Sequence, residues 1–518
     1  MRSVGILTLF NLLGAVMGVA NALVIAALFG TTRQAELYFA AATLLGLVMS
    51  LSQSGQMGEI LVPIYHRLRA ERGAVHARAA FSVAVNWMFL ACVGLSAVLW
   101  LFAPLMLRLL VPGFSAADQA LGAALLRGLL PLVPIQVAWG LFRTLANAER
   151  AFGRPEAMSA IAQGLAVVVI LPLAPLIGVW SLIVSLWVGR LLQLAGLAWP
   201  LRRMGYRHRW LLRVDGFSMR GVLTELAVTF SYVGANQVMQ FGVNAGVSLL
   251  PQGTYAVFKY VQQLVSKTES IFLRPVSTVF FTHMSEALTA GASNLKRLAH
   301  AALRQGLLVW TLATVALVSA GRPLLEGALG GARFGPGNVA LAYALLVFFY
   351  LLLPLSSLAQ ITRKTVVSVG GIRWQYLSTS VVQIVCGAMA WIAIPALGMP
   401  GLLLTLVVNY VGFVVAPMLV LAVLRRELVA FYPPRAVGEW LLAGAAGLAA
   451  GWLLGTAIPD PGAVLSRVGL VAWGMALAIV SAGVAAGAAW LLHVSEMRRA
   501  LAWAARARRG AVAAPGGA

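Results

Sequence analysis

SVGILTLFNLLGAVMGVANALVIAALFG, residues 3–30, holds no charged side chain. As a helix rising 1.5 Å per residue it would reach about 42 Å, more than the roughly 30 Å of bilayer hydrocarbon. It is too long for the apolar region of a secretory signal, and no small-residue cleavage site with a polar mature start follows it, so a retained first membrane helix is expected. The pattern then repeats. Candidate spans cover residues 3–30, 35–65, 79–103, 119–142, 157–177, 179–201, 221–249, 254–284, 301–320, 336–361, 374–396, 398–424, 437–458 and 466–493. Of the 518 residues 61% are hydrophobic and 10% charged, against about 25% charged in a soluble domain. The expected fold is all-α integral membrane, with about 14 transmembrane helices and no sizeable soluble domain.

The net charge of +23 could suggest a nucleic-acid partner, but the cations are dispersed among loops instead of gathered on one face. One set of alternate loops carries Arg67, Arg69, Arg72 and Arg78, then Arg143, Arg150 and Arg154, then six arginines from Arg202 to Arg220. The series continues through Lys296, Arg297 and Arg304, then Arg363, Lys364 and Arg373, then Arg425, Arg426 and Arg435, to the basic tail. The opposite loops offer only Arg33, Arg108, Arg322, Arg333 and Arg467. A miscounted helix would place cations on both sides, so the alternation supports the count and puts both termini in the cytoplasm.

The most basic loop divides the chain. It predicts a six-helix lobe over 1–205, a cytoplasmic linker over 206–220, a second six-helix lobe over 221–430, a helix pair over 431–493 and a basic cytoplasmic tail over 494–518, with a central cavity between the lobes.

Ionisable groups at bilayer depth cost roughly 2.5 to 3.5 kcal/mol each and mark candidate sites. The eighth span holds Lys259, Gln263, Lys267, Ser270 and Arg274, whose spacings place them within roughly an 80° arc of one helical face. Two of the chain's four lysines lie there. A compact, mobile ammonium suits a phosphate that must bind and then leave, which points to an anionic substrate. The seventh span adds a neutral stripe, Tyr232, Asn236, Gln240 and Asn244, suited to sugar hydroxyls; ordinary interhelical hydrogen bonding explains any one of these equally well. For the lysines, the structural alternative is snorkelling of Lys259 and pairing of Lys267 or Arg274 with Glu225 or Glu269. Among other buried charges, Glu59, Arg127 and Arg190 suit structural ion pairs, whereas Glu36, near the outer mouth of the cavity, joins the candidate site. Cys92 and Cys386 lie inside apolar runs, and no catalytic triad, nucleotide loop or metal motif is visible, so neither a cofactor nor an enzymatic activity is expected. A glycosyltransferase or polymerase would want acids in a sizeable outer loop, and the largest one, near 322–338, offers only Glu326.

Several blocks resemble the MviN/MurJ-type lipid II flippases of the multidrug/oligosaccharidyl-lipid/polysaccharide exporter superfamily. They are ALFGTTRQAELYFAA at 27–41, SGQMGEILVPIYHRLRAERG at 54–73, RLLVPGFS at 108–115, LANAERAFGRPEAMSAIAQ at 145–163 and LLPQGTYAVFKYVQQL at 249–264. The resemblance implies alternating-access transport of a polyprenyl-pyrophosphate-linked saccharide to the outer leaflet of a bacterial inner membrane. It implies membrane lipids and cell-envelope glycosyltransferases or polymerases as partners, and a groove for the lipid tail at the last two helices. It also implies pyrophosphate-binding arginines in the first, second and eighth helices. This chain has Ala15 and Asn21 in the first, Met49 and Ser50 in the second and Gln263 in the eighth, with Lys259 and Lys267 one turn to either side of Gln263. These departures keep two alternatives open: a flippase for an exopolysaccharide or O-antigen-type glycolipid, and a small-molecule exporter of the same superfamily.

Overall fold

A computed structural model of the chain describes residues 2–51, 54–149, 153–269, 292–331, 333–458, 461–494 and 496–498. In chain order the helices are α1 (Arg2–Phe29), α2 (Arg33–Leu51), α3 (Ser54–Arg72), α4 (Ala74–Leu101), α5 (Ala103–Leu110), α6 (Ala116–Leu129), α7 (Leu132–Ala148), α8 (Gly153–Ile177), α9 (Trp180–Arg203), α10 (Met219–Ser248), α11 (254–269), α12 (Ala292–Leu329), α13 (Pro336–Ser368), α14 (Ile372–Leu397), α15 (Met399–Arg425), α16 (Pro434–Gly455), α17 (Pro461–Val464) and α18 (Arg467–Leu491). Among the described residues the only bridges of β type are two isolated ones, Val214 with Phe217 and Gly331 with Phe334.

A helix occupies each of the fourteen expected spans, the end of the eighth lying outside the described residues. Ten helical segments among the described residues are long and apolar enough to cross a bilayer. The other four spans are α1, the α2–α3 pair, α10 and α11, and the last two carry the polar stripes. Two spans differ in detail. Residues 119–142, expected as one helix, divide into α6 and α7 at Leu130 and Pro131, because proline has no N–H to return to the preceding turn. The ninth helix, expected over 301–320, runs from Ala292 to Leu329. Hydropathy marks where the hydrocarbon ends, and this helix continues past it through Lys296, Arg297 and Arg322.

The chain forms two compact units: residues 1–263 with 379–406, and residues 264–378 with 407–518. In the first, α1 packs on α8, α8 on α9, α2 on α6, and α7 on α3, α4 and α9. In the same unit α10 crosses α14 with backbones almost touching: a Cβ on Gly242 would stand 2.3 Å from the Gly387 carbonyl oxygen. Small residues at such crossings let dispersion forces act where lipid supplies no hydrophobic drive.

In the second unit α12 is the hub for α13, α16 and α18. Trp440 of α16 is buried against Leu307, Ala489 and Val494, and the Trp310 indole N–H donates to the Ser357 hydroxyl. Ser319 and Ser481 flank Gly451 so closely that a side chain there would meet both hydroxyls. A cavity of about 910 Å³ opens in this unit, lined by Arg322, Glu326, Leu448, Trp452 and Trp473 among others. Outward-facing apolar side chains such as Val423 and Val468, 86% and 80% exposed, mark lipid contact, since no water-soluble surface displays them so densely.

Candidate functional site

The site is built where α10 turns into α11. Gly253, at φ 92, takes a left-handed conformation that a side chain would resist, and there its amide donates to Glu36 Oε1 at 2.8 Å. The amides of Tyr255 and Ala256 also face that carboxylate, so Glu36 accepts the orphan donors at the start of α11, where a negative charge is favoured. Its second oxygen accepts from Arg33 at 2.8 Å. Arg33 in turn lies 3.4 Å from Asp118 and stacks 4.2 Å over the Phe114 ring. Two aromatic contacts reinforce the joint: the Tyr260 hydroxyl donates to the Gly30 carbonyl at 3.0 Å, and Phe39 meets Tyr260 edge to face at 4.9 Å.

Three of the sequence blocks therefore converge on one joint. Residues 27–41 supply Gly30, Arg33, Glu36 and Phe39. Residues 108–115 supply Phe114 and Gly113, whose N–H donates to Ser248 Oγ at 3.2 Å. Residues 249–264 supply Gly253, Tyr255 and Tyr260. Two further blocks meet at Glu149, which accepts from the Tyr65 hydroxyl, from Arg69 at 2.8 Å and from Arg78 at 3.4 Å. Burial pulls the Glu149 carboxyl upward, but the Tyr65 hydroxyl and the two guanidiniums outweigh it and hold the group below its usual range. Arg143 pairs with Glu156 nearby in the chain.

The polar stripe of α10 is sorted by its hydrogen bonds. Asn244 is fully buried, accepts from the Tyr255 hydroxyl at 2.9 Å and donates to the Gln240 carbonyl at 2.6 Å. Its amide is thus committed to joining α10 to α11. The half-buried side-chain amides of Asn236 and Gln240 have no protein partner among the described residues.

Measured from the Asn244–Tyr255 bond, Gln240 and Lys259 each stand one helical turn away, and Asn236 and Gln263 two turns. Because the two helices run antiparallel across a short turn, these pairs lie at matching depths. Lys259 is 8% exposed. Its ammonium sits 5.4 Å from the centroid of the Tyr255 ring, a cation–π contact, and has no carboxylate within 4 Å and no hydrogen bond among the described residues. Gln263 is exposed. Lys267 lies on the part of α11 that belongs to the second unit, half-buried and engaged in an interaction. Beside it Thr268 bonds the Tyr350 hydroxyl at 2.8 Å, and Glu269 accepts from Ser356 at 3.1 Å. Arg274 and Ser270 lie outside the described residues.

One cation escaped the sequence reading as a candidate. Arg190 of α9, expected to be half of an ion pair, bonds the Gln193 amide oxygen at 2.9 Å and has no acid within 4 Å among the described residues. Gln193 donates to Ser159 Oγ at 3.3 Å, as does Gln163. An arginine three residues before a glutamine at bilayer depth is the available signal, and helical spacing alone could not separate it from an arginine paired with an acid.

The chain matches the family model described as "Lipid II flippase MurJ" over residues 25–457. It belongs to the lipid II flippase MurJ family. Among solved structures, a lipid II flippase MurJ in an inward closed conformation shares the fold with a TM-score of 0.75 and 15% identity, covering 92% of this chain and 98% of that one. A multidrug resistance MATE family transporter of the MOP superfamily, facing inward, gives a TM-score of 0.64 at 14% identity over 80% of this chain and 94% of its own. A MOP superfamily transporter from Pyrococcus furiosus gives 0.53 at 14% identity, covering 82% and 95%. No curated protein sequence matches. A multi-pass membrane transporter of the MurJ family follows from the family match, and the structural likenesses agree with it in fold.

Proposed function

We propose that this protein flips a polyprenyl-pyrophosphate-linked saccharide, lipid II or a close relative, from the cytoplasmic to the outer leaflet of the bacterial inner membrane by alternating access. The observation that carries the reading is Lys259: a buried ammonium, free of acidic neighbours among the described residues, at the depth of an unpartnered amide, in a chain of this family. The pyrophosphate is assigned to Lys259, with Lys267 and Arg274 later in the sequence. The saccharide is assigned to Asn236, Gln240 and Gln263, whose amides offer both donors and acceptors to hydroxyls. Glu36 and Asn244 act by fixing the joint that aims α11.

At the place where the resemblance implies an arginine in the second helix, Ser50 accepts from Gln237 of α10 at 2.5 Å. A neutral link between two helices supports cations that have moved to α11. The polyprenyl chain is assigned to the side of the last helix pair, where Leu448, Trp452, Trp473 and Leu477 among the lining of the 910 Å³ cavity support it. Both termini are assigned to the cytoplasm, and no covalent step is required. Cell-envelope glycosyltransferases that make the glycolipid and polymerases that consume it are the expected partners.

The test is rescue of a strain depleted of its own lipid II flippase. Growth with the wild-type chain and none with Lys259→Met is the expected result. Failure of the wild type to rescue, with flipping of an exopolysaccharide precursor in vesicles, would transfer the assignment to that cargo.

A further inference from the structure

The segment between α9 and α10 does not hang free. It leaves Gly205, whose carbonyl accepts from Arg78 at 3.3 Å, and runs beside α4. The Tyr206 hydroxyl meets Ser82 Oγ at 2.9 Å. Asn86 donates from one nitrogen to the carbonyls of Arg209 and Leu211, at 2.8 and 2.9 Å, and the Trp87 indole N–H donates to the Leu212 carbonyl at 2.9 Å. The chain then returns to the start of α4, where the Asp215 carbonyl meets His76 Nε2 at 2.7 Å. From Arg78 to Trp87 is about 13 Å along the α4 axis. The strap therefore climbs from the basic end of α4 toward its apolar middle and comes back.

Its side chains alternate as in an extended strand. Tyr206, His208 and Trp210 form an aromatic ladder with centroid separations of 6.2 and 5.7 Å, closed by Phe142 below and Phe89 above at 5.9 and 6.1 Å. Arg207 and Arg209 alternate with these rings along the segment, and Arg213 follows the apolar tip. All three are exposed and have no acidic partner within 4 Å among the described residues. At the tip, Trp210 is 68% and Leu212 47% exposed, continuous with Trp87 and Leu90 on the outer face of α4, each 44% exposed.

We infer that residues 206–213 form a wedge in the leaflet on the basic side, with Trp210 and Leu212 among the acyl chains and Arg207, Arg209 and Arg213 on anionic lipid phosphates. Irregular backbone at that depth needs partners for its polar groups, and Asn86 and Trp87 of α4 bind three of the four carbonyls from Arg209 to Leu212. Tryptophan prefers this interface, and arginine reaches from it to phosphate. Each cation near an anionic surface is worth about fivefold in association.

The test does not depend on transport. In a Leu212→Cys variant carrying an environment-sensitive dye, reconstituted in vesicles of phosphatidylcholine and phosphatidylglycerol in equal parts, doxyl groups on the acyl chains should quench the dye strongly and aqueous iodide weakly. The same dye on an Arg220→Cys variant should show the reverse. Equal iodide quenching at both positions would overturn the wedge. Replacing Arg207, Arg209 and Arg213 together by Gln should weaken phosphatidylglycerol binding on the order of a hundredfold; unchanged binding would remove the arginines from the proposal while a buried dye kept the tip.

Discussion

Lys259→Met removes one charge while keeping an unbranched stem of similar length. The wild-type ammonium is 8% exposed, sits 5.4 Å from the centroid of an aromatic ring and has no hydrogen bond or ion pair among the described residues, so its hydrogen-bonding capacity is held for something other than the fold. A hydrogen bond to a charged group contributes about 1.5–3 kcal/mol, and a charge pair at 4 Å about 4 kcal/mol at an effective dielectric constant near 20. Taking the lower range, because the amine keeps some access to solvent, transport should fall about 10- to 150-fold. Stability should move the other way. A buried cation without an acid costs several kcal/mol, so the methionine variant should melt at the wild-type temperature or a few degrees above it. Translocation of a fluorescent lipid-linked saccharide in proteoliposomes gives the first quantity, and fluorescence-detected thermal melting in detergent gives the second. Wild-type transport by a well-folded variant would refute the assignment. A variant that melts far below wild type would refute it too, because it would show that the amine serves the fold.

Glu36→Gln leaves Arg33 without its partner at 2.8 Å and weakens the cap on α11, and it should cost about 2–3 kcal/mol, read as a drop in melting temperature alongside reduced transport. Asn236→Ala with Gln240→Ala touches no hydrogen bond of those side chains among the described residues, so melting should stay constant while transport of glycolipid falls about tenfold; equal loss for a lipid pyrophosphate lacking sugar would remove the saccharide role. Glu149→Gln should lower the melting temperature at pH 7 through the loss of bonds from Tyr65, Arg69 and Arg78. Because the folded Glu149 sits below its ordinary value of 4.5, the unfolded chain takes up the proton first as the medium acidifies. Its contribution is therefore complete above about pH 4.5 and lost as pH falls through the folded value, so a series of melts should show wild type and variant converging on the acid side. Parallel curves at every pH would disprove the coupling.

The membrane fold could be read from periodic apolar runs because bilayer thickness imposes a length on each, and the alternation of basic loops then fixed the count. The break at Leu130 and Pro131 lay inside one such run, where hydropathy is blind to backbone geometry. Lys259 and Gln263 stood out because spacings of four residues reveal a face without knowledge of its neighbours. Glu36 was visible as a buried acid, but the amide it caps is 217 residues away, a distance across which spacing carries no information. The same holds within the stripe of α10: Asn244 and Gln240 look alike in sequence, and only the Tyr255 hydroxyl separates the committed amide from the open one. The strap over 206–213 read as a basic linker because its order comes from Asn86 and Trp87, a different stretch of chain.

The short turn between α10 and α11 also fixes rotational phase. Glu36 of α2 grips Gly253 while Asn244 of α10 grips Tyr255, so the start of α11 is keyed to two helices at adjoining points. Deleting one residue from 249–253 would turn α11 by about 100° and swing Lys259 out of line with Gln240 even if every helix still formed. Length variation, tolerated in most surface loops, should therefore be nearly forbidden in this one.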